Sequence, residues 1–335
     1  MEVIEHTRLR ITDVTGAGEA RRAAGGLTRR LALSESDAGR FALVVTELVT
    51  NVAKHAGDGE LFLRELRHGT ARGVGVLAVD RGPGIANPSE ALRDGYSTKG
   101  TPGTGLGAIA RLSTLFELYS DQGSGSALLA EVWPDGAPSE GGMRIGGLTS
   151  PYPGEDVSGD AWASYQGADL TQVIVADGLG HGAQAAEASQ AALVAFQRHA
   201  GNAPAEVLVR VHEALRHTRG AAVAIASISR ERGLLCYSGI GNISATIVSR
   251  DHTMRSLVSH HGTVGSVARK FQEFQHPWTA TDLLVLHSDG LSSKWKLDGY
   301  PGITGRNPAL VAAVLYRDHR RERDDATVVV VSEAA

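Results

Sequence analysis

Residues 173 to 182 read Val-Ile-Val-Ala-Asp-Gly-Leu-Gly-His-Gly. Four apolar residues rich in β-branched types have the pattern of a buried strand. The run ends at Asp177, three glycines follow within five positions, and an apolar-periodic stretch runs from Ala183 to Phe196. A strand therefore delivers a carboxylate to a tight turn that enters a helix. The Gly178 carbonyl can approach whatever Asp177 binds, and hard divalent cations take oxygen ligands of this kind. Taken alone, the pattern also describes a strand-end Asp that caps the next helix.

The same half of the chain repeats the arrangement. An apolar strand, Leu283 to Leu286, runs into His287-Ser288-Asp289-Gly290, and Arg323-Asp324-Asp325-Ala326-Thr327 precedes a strand from Val328 to Val331. Gly154-Glu155-Asp156-Val157-Ser158-Gly159-Asp160 is an acidic turn just before another strand. In a β-sandwich such strand ends converge at one rim, where several carboxylates repel unless cations sit between them. Further strands are expected over 143–149, 160–166, 170–176, 221–229, 234–239, 243–249 and 253–258, with helices over 183–199, 204–218 and 308–318. Arg317, Arg320, Arg321 and Arg323 describe either a solvated basic loop or a phosphate-binding set. His181 describes either a polar loop group or one that faces the acidic rim.

The first half reads differently. A strand over 3–14 and a helix over 16–33 come first, although Gly25-Gly26 weakens the helix. Ser34 offers an N-cap with Asp37 three residues on. The helix it opens carries Phe41, Val44, Val45, Leu48 and Val52 at helical spacing and ends at Gly57. Glu47, Asn51 and His55 share one face of it, which is either a solvated flank or a site. Strands over 59–68 and 73–80 lead to Asp80-Arg81-Gly82-Pro83-Gly84-Ile85. That turn either is an ordinary Asp/Gly/Pro turn or holds an exocyclic amine on Asp80 beside room for a flat ring. Residues 86–102 read as a mobile loop. Gly103-Thr104-Gly105-Leu106-Gly107 then opens a helix over 106–114, and amides at such a terminus cradle phosphate. The glycine spacing also fits a dinucleotide fingerprint, but that motif needs a strand directly before it, and a polar loop stands there. Strands over 115–120 and 126–133 flank Gly123-Ser124-Gly125-Ser126, and a Pro/Gly linker spans 134–142.

A length of 335 residues allows two domains. A net charge of −4 with interspersed signs argues against a nucleic-acid partner. The single cysteine, Cys236, excludes an internal disulfide and disfavours a Cys-based zinc site. No apolar run approaches 18 residues and the N-terminus is mixed and charged, so no membrane span or signal peptide is expected and a cytoplasmic location is.

The order E-x-x-x-N-x-x-x-H, D-x-G-x-G, G-T-G-L-G, G-S-G-S resembles the GHKL (Bergerat-fold) ATPase family, and within it the RsbT-like serine/threonine switch kinases. The resemblance implies ATP with Mg²⁺ as cofactor: Asn51 on Mg²⁺, Glu47 as base or orienter of the substrate hydroxyl, and Asp80 on the adenine amine with Ser126 beside it. Gly82 and Gly84 shape the adenine turn, Gly103, Thr104, Gly105, Leu106 and Gly107 wrap the phosphates, and Lys99 and Thr104 contact the γ-phosphate. In the second half G-E-D-V-S-G-D, A-D-G-L-G-H-G, S-D-G and R-D-D-A-T, with T-R-G-A-A-V-A and G-I-G-N, resemble the PPM metal-dependent phosphatases of the SpoIIE type, RsbX-like. That resemblance implies two Mn²⁺ or Mg²⁺ ions. Asp177 bridges both, with the Gly178 carbonyl on one; Asp289 and Asp324 hold the other; and Asp160 holds the second ion directly or through water. Asp325 is set behind Asp324, because the family ligand lies three residues before Thr327. A metal-activated water attacks phosphorus in line.

The expected architecture is α+β in two domains: a GHKL α/β sandwich over 1–133 and a PPM αββα sandwich over 143–335. The implied protein phosphorylates and dephosphorylates a STAS-domain partner in a stressosome or sigma-factor partner-switching system. The alternative is a phosphatase whose GHKL module only senses ATP or binds an anti-sigma partner.

Overall fold

The computed structural model describes residues 2–3, 6–92, 105–136 and 141–334. They form two compact units, Ile4–Glu140 and Gly141–Ala335, the latter including Met1–Val3. The short strand β1 (Glu2–Val3) therefore belongs to the second unit, where it pairs with Ser164 and Ala163. It is separate from the strand that follows, β2 (His6–Ile11), so the run expected over 3–14 is split.

In the first unit β2 is followed by α1 (Gly16–Arg30), α2 (Glu35–Asn51) and a π-turn, Val52–Ala56. Then come β3 (Gly59–His68), β4 (Ala71–Asp80), α3 (Pro88–Ala91), α4 (Gly105–Leu112), β5 (Leu115–Ser120) and β6 (Ser126–Val132). The five strands form an antiparallel sheet in the order β2-β3-β4-β6-β5. One of its faces (Leu9, Ile11, Leu61, Leu63, Val74, Val76, Leu128, Ala130) shares a core with Ala20, Ala24 and Leu27 of α1, Phe41, Val45 and Leu48 of α2, and Ile109 of α4. Burial of Ala20, Ala24 and Leu27 holds α1 helical straight through Gly25-Gly26, against about 1 kcal/mol of intrinsic cost per glycine. Ser34 caps α2 as expected, accepting from Asp37 N at 3.1 Å. Part of the stretch expected to be loop, after residue 86, folds as α3, because Asn87 caps it and Pro88 starts it.

The second unit contains β7 (Met143–Ser150), β8 (Asp160–Gln166), β9 (Leu170–Gly178), α5 (Ala183–His199), α6 (Pro204–Ala214), β10 (Ala221–Ser229) and β11 (Leu234–Ile240). It continues with β12 (Ser244–Val248), β13 (Met254–Ser256), β14 (Phe274–Pro277), β15 (Leu283–His287), α7 (Pro308–His319) and β16 (Ala326–Glu333). Two antiparallel sheets result, β1-β8-β9-β10-β11-β14 and β13-β12-β15-β16-β7. Leu193 and Phe196 of α5 and Val207, Leu208 and Val211 of α6 pack with Ala163, Ile174, Val223 and Ile225 on the first sheet. β14 escapes the sequence pattern: it is a four-residue edge strand ending at Pro277, with no apolar alternation.

Two adjacent glycines set the layers of this sandwich. A Cβ on Gly146 would lie 2.1 Å from Ala309 N in α7, and one on Gly147 would lie 3.0 Å from the Trp162 ring on the opposing sheet. Successive strand residues face opposite sides. The pair therefore lets a helix approach one face of β7 and the second sheet approach the other.

Candidate functional site

β8 and β9 are hydrogen-bonded neighbours, and their register sets Asp160 directly opposite Asp177. Asp289 lies just past the end of β15, and Asp324 and Asp325 lie just before β16; these two strands also pair. Four strand ends from two sheets thus bring five carboxylates together. The Asp177 carboxyl is pushed up to about 9, first by burial and then by the charges of Asp160, Asp289, Asp324 and Asp325. Asp160 is pushed up to about 8, again first by burial, against the lowering hydrogen bond from Ser288. Asp324 and Asp325 are raised as well, burial being the largest cause for each.

The convergence expected of Asp177, Asp289 and Asp324 is present, with Asp160 and Asp325 beside them. Asp325, set behind Asp324 in the sequence, is the more deeply buried of the two, and its Oδ1 accepts from Tyr152 N at 2.8 Å. Asp177 does not cap α5, whose N-cap is Gly182 with no side-chain hydrogen bond. A Cβ on Gly178 would lie 2.0 Å from Ala185 O, so only glycine lets the first turn of α5 close on the end of β9.

Two partners of the carboxylates carry no signal in the sequence beyond lying inside the motifs. The Ser288 hydroxyl donates to Asp160 Oδ2 at 2.6 Å and accepts from Thr327 N at 3.0 Å. Asn242 Nδ2 donates to Asp289 Oδ2 at 2.7 Å. His181 contacts the acidic turn, its Nδ1 3.0 Å from Glu155 Oε1 and its ring stacked on Tyr152 at 4.5 Å, and it is close enough to Asp325 to oppose the rise of that carboxyl. The arginine set divides. Arg317 pairs with Asp318 at 2.7 Å, and Arg320 reaches the Tyr316 hydroxyl at 2.5 Å, whereas Arg321 and Arg323 line a cleft with Asp289 and Asp324.

The donor set suits hard cations. Asp160 Oδ1 and Asp325 Oδ2 are buried without a well-formed hydrogen bond, and the charges repel as they stand. Among the described residues no three His, Cys, Asp or Glu side chains are already drawn in tightly enough to cage an ion.

In the first unit a row of residues crosses one end of the sheet: Gly59 opposite Asp80, Asp80 opposite Ser126, Ser126 opposite Ser120. Asp80 Oδ1 accepts from Gly82 N at 2.8 Å, closing the turn. Gly125 has φ +78°, and a Cβ there would lie 2.1 Å from Asp80 O, so the G-S-G-S turn presses on the Asp80 backbone. Ser120, which the sequence did not single out, ties both loops. Its Oγ lies 3.0 Å from Ser126 Oγ, donates to Gly125 O and accepts from Ile85 N at 2.8 Å.

Glu47 and Asn51 lie one turn apart on α2, both half-buried. Glu47 makes no hydrogen bond among the described residues, and Asn51 Nδ2 is buried without a partner. A Cβ on Gly105 would lie 3.1 Å from Asn51 Oδ1, so the N-terminus of α4 abuts this side chain. Gly107 is buried, Leu106 packs on the core, and His55 is exposed in the π-turn. Lys99, Gly103 and Thr104 lie outside the described residues.

The second half matches the family model Stage II sporulation protein E (SpoIIE) over residues 167–332, and the first half matches Histidine kinase-like ATPase domain over residues 12–130. Serine/threonine-protein kinase RsbT of Bacillus subtilis (strain 168) is 31% identical over 114 residues, 34% of this chain and 86% of RsbT. Phosphoserine phosphatase RsbX of the same organism is 26% identical over 141 residues, 42% of this chain and 70% of RsbX. A chain from a solved structure of the bacterial stressosome shares the fold, with TM-score 0.52 and 24% identity over 56% of this chain and 98% of its own. Among the described residues no helix is long and apolar enough to cross a membrane.

Proposed function

The chain belongs to the histidine kinase-like ATPases through its first unit and to the SpoIIE family through its second; from that premise we propose that it both attaches and removes phosphate on serine or threonine of a partner-switching protein. The observation that carries the reading is the convergence of Asp160, Asp177, Asp289, Asp324 and Asp325 from four strand ends.

In the second unit Asp177 lies among the charges of the other four and would touch both members of a Mn²⁺ or Mg²⁺ pair, with the Gly178 carbonyl beside it. Asp289 and Asp324 would hold one ion and Asp160 the other, with Asp325 buried behind. Bound there, the ions would supply a water activated for attack on phosphorus. The chain's own part is to fix these oxygens. Ser288 holds Asp160 Oδ2 and leaves Oδ1 open, and Asn242 holds one oxygen of Asp289.

In the first unit Asn51 would meet Mg²⁺, and the amides of Gly105 to Gly107 at the start of α4 would meet the phosphates of ATP. Asp80 and Ser126 would receive the adenine edge. Glu47, without a hydrogen bond among the described residues, would accept the proton of the substrate hydroxyl. Phosphoryl transfer asks mainly for such positioning and charge neutralisation.

The named relatives, a serine/threonine kinase and a phosphoserine phosphatase of one organism, support opposed activities on one class of substrate. We assign that substrate to STAS-domain proteins of a stressosome or sigma-factor pathway in the cytoplasm. Incubating the chain with a serine-bearing STAS-domain protein, γ-labelled ATP and Mg²⁺, then adding Mn²⁺, tests both steps. Label that appears on the partner and is then released as inorganic phosphate is the expected result. No transfer, with release from a pre-phosphorylated partner intact, reduces the first unit to an ATP-sensing or anti-sigma-binding module.

A further inference from the structure

Four arginines stand within seven residues, and the fold uses only two of them. Arg317 is buried and holds Asp318 through two hydrogen bonds; Arg320 is held by the Tyr316 hydroxyl and Pro151 O. Arg321 and Arg323 are exposed, and neither guanidinium has a hydrogen-bond or ion-pair partner among the described residues. Both line a cleft of about 400 Å³ whose other walls are Asp289, Glu322 and Asp324.

The segment that carries them is tied to the acidic turn itself. Arg321 N donates to Gly290 O at 2.8 Å, and Leu291 bridges to Arg320. Gly290 lies so close to the Asp325 carbonyl that a Cβ would come within 1.8 Å of it. The backbone that carries the two guanidinium groups is thereby held beside Asp289 and Asp324. A long side chain left unpaired at such a place loses entropy if it is ordered and gains nothing internally, so an external anion is its natural partner.

We propose that Arg321 and Arg323 clamp the phosphoryl group of the phosphorylated side chain at the mouth of the carboxylate cluster. The proposal rests on the phosphatase reading of that cluster. The guanidinium fork matches the oxygens of a phosphomonoester, and such charge-assisted bonds are strong and directional. The lining also imposes an order. Two arginines face the carboxylates of Asp289, Glu322 and Asp324, so the cleft attracts an anion only after cations have settled on the aspartates.

The test uses the full chain loaded with Mn²⁺, with p-nitrophenyl phosphate for turnover and inorganic phosphate for binding by titration calorimetry. The double variant R321Q/R323Q is expected to raise KM about tenfold with kcat within about threefold, and to weaken phosphate binding about tenfold. R321K/R323K recovers part of both, and the metal-free chain binds no phosphate. Unchanged KM and unchanged phosphate affinity in the double glutamine variant overturn the clamp, as does a fall in kcat alone. If the wild-type chain does not turn over p-nitrophenyl phosphate, the phosphatase reading fails by itself. The calorimetry still decides the clamp: equal phosphate affinity in wild type and variant, or no binding by the wild type, sinks it.

Discussion

In the second unit five side chains of one charge are held together by strand ends that lie far apart in sequence. In the first, one helix supplies Glu47 and Asn51, and the opposite end of the site is a row of neutral or singly charged groups, Asp80, Ser126 and Ser120. The carboxylate cluster stores repulsion: burial and mutual charge push Asp160 and Asp177 far above the ordinary carboxylate range. The first-unit site is built from different groups. It offers an unpaired Asn51 amide and a glycine-opened helix start. One site crowds five carboxylates together; the other spaces its two, Glu47 and Asp80, among neutral groups.

The sharpest break between them is Asp177→Ala. Phosphate release should fall by about 1,000-fold or more, the several kcal/mol that metal catalysis supplies, while ATP binding by the first unit stays at wild-type affinity. A fall in both would show that the sites are not independent. Asn51→Ala is the mirror experiment. Transfer from γ-labelled ATP should fall by about 100-fold through lost Mg²⁺ positioning, with p-nitrophenyl phosphate hydrolysis untouched. Ser288→Ala removes a partner of Asp160 rather than a ligand, so phosphatase activity should drop about 10- to 100-fold and Mn²⁺ affinity with it; unchanged Mn²⁺ affinity would remove Ser288 from the site.

The stored repulsion has a signature in pH. Asp160 and Asp177 bind protons more tightly folded than unfolded, so their contribution to the stability of the metal-free chain is fully present only at low pH. The chain loses that contribution as pH rises from about 4 toward the folded values near 8 and 9. Metal-stripped protein should therefore melt lower at pH 8 than at pH 6, and Mn²⁺ should raise the melting temperature more at pH 8. A metal-free melting temperature that climbs over this range would contradict the clustering. The smallest effect belongs to the first unit: Gly25→Ala and Gly26→Ala meet open space within α1 and should each stabilise it by about 0.5–1 kcal/mol.

Legibility in the sequence followed the same division. Asp177 and Asp289 could be read because each ends an apolar strand beside a glycine, a local pattern that survives without the fold. Motif spacing ranked Asp324 ahead of Asp325 but could not show that tertiary packing buries the second and gives it the Tyr152 amide, since adjacent residues differ only in which face the chain turns inward. Ser288 and Ser120 were invisible for a related reason. A serine beside a strand end is ordinary until the register shows what its hydroxyl bridges. The two free arginines could not be told from the two engaged ones, because spacing alone does not reveal that Asp318 and Tyr316 take their neighbours. α3 and β14 were missed because each is four residues long, too short for periodicity to speak.

Gly146 and Gly147 touch no carboxylate, yet their strand is walled on both sides by backbone and ring atoms. In a saturation screen for growth or activity these two positions should tolerate almost nothing, and would rank alongside Asp177. Intolerance there would report how closely three layers are stacked, not where phosphate is handled. A map of mutational sensitivity over this chain must therefore be divided by side-chain chemistry before it is used to locate function.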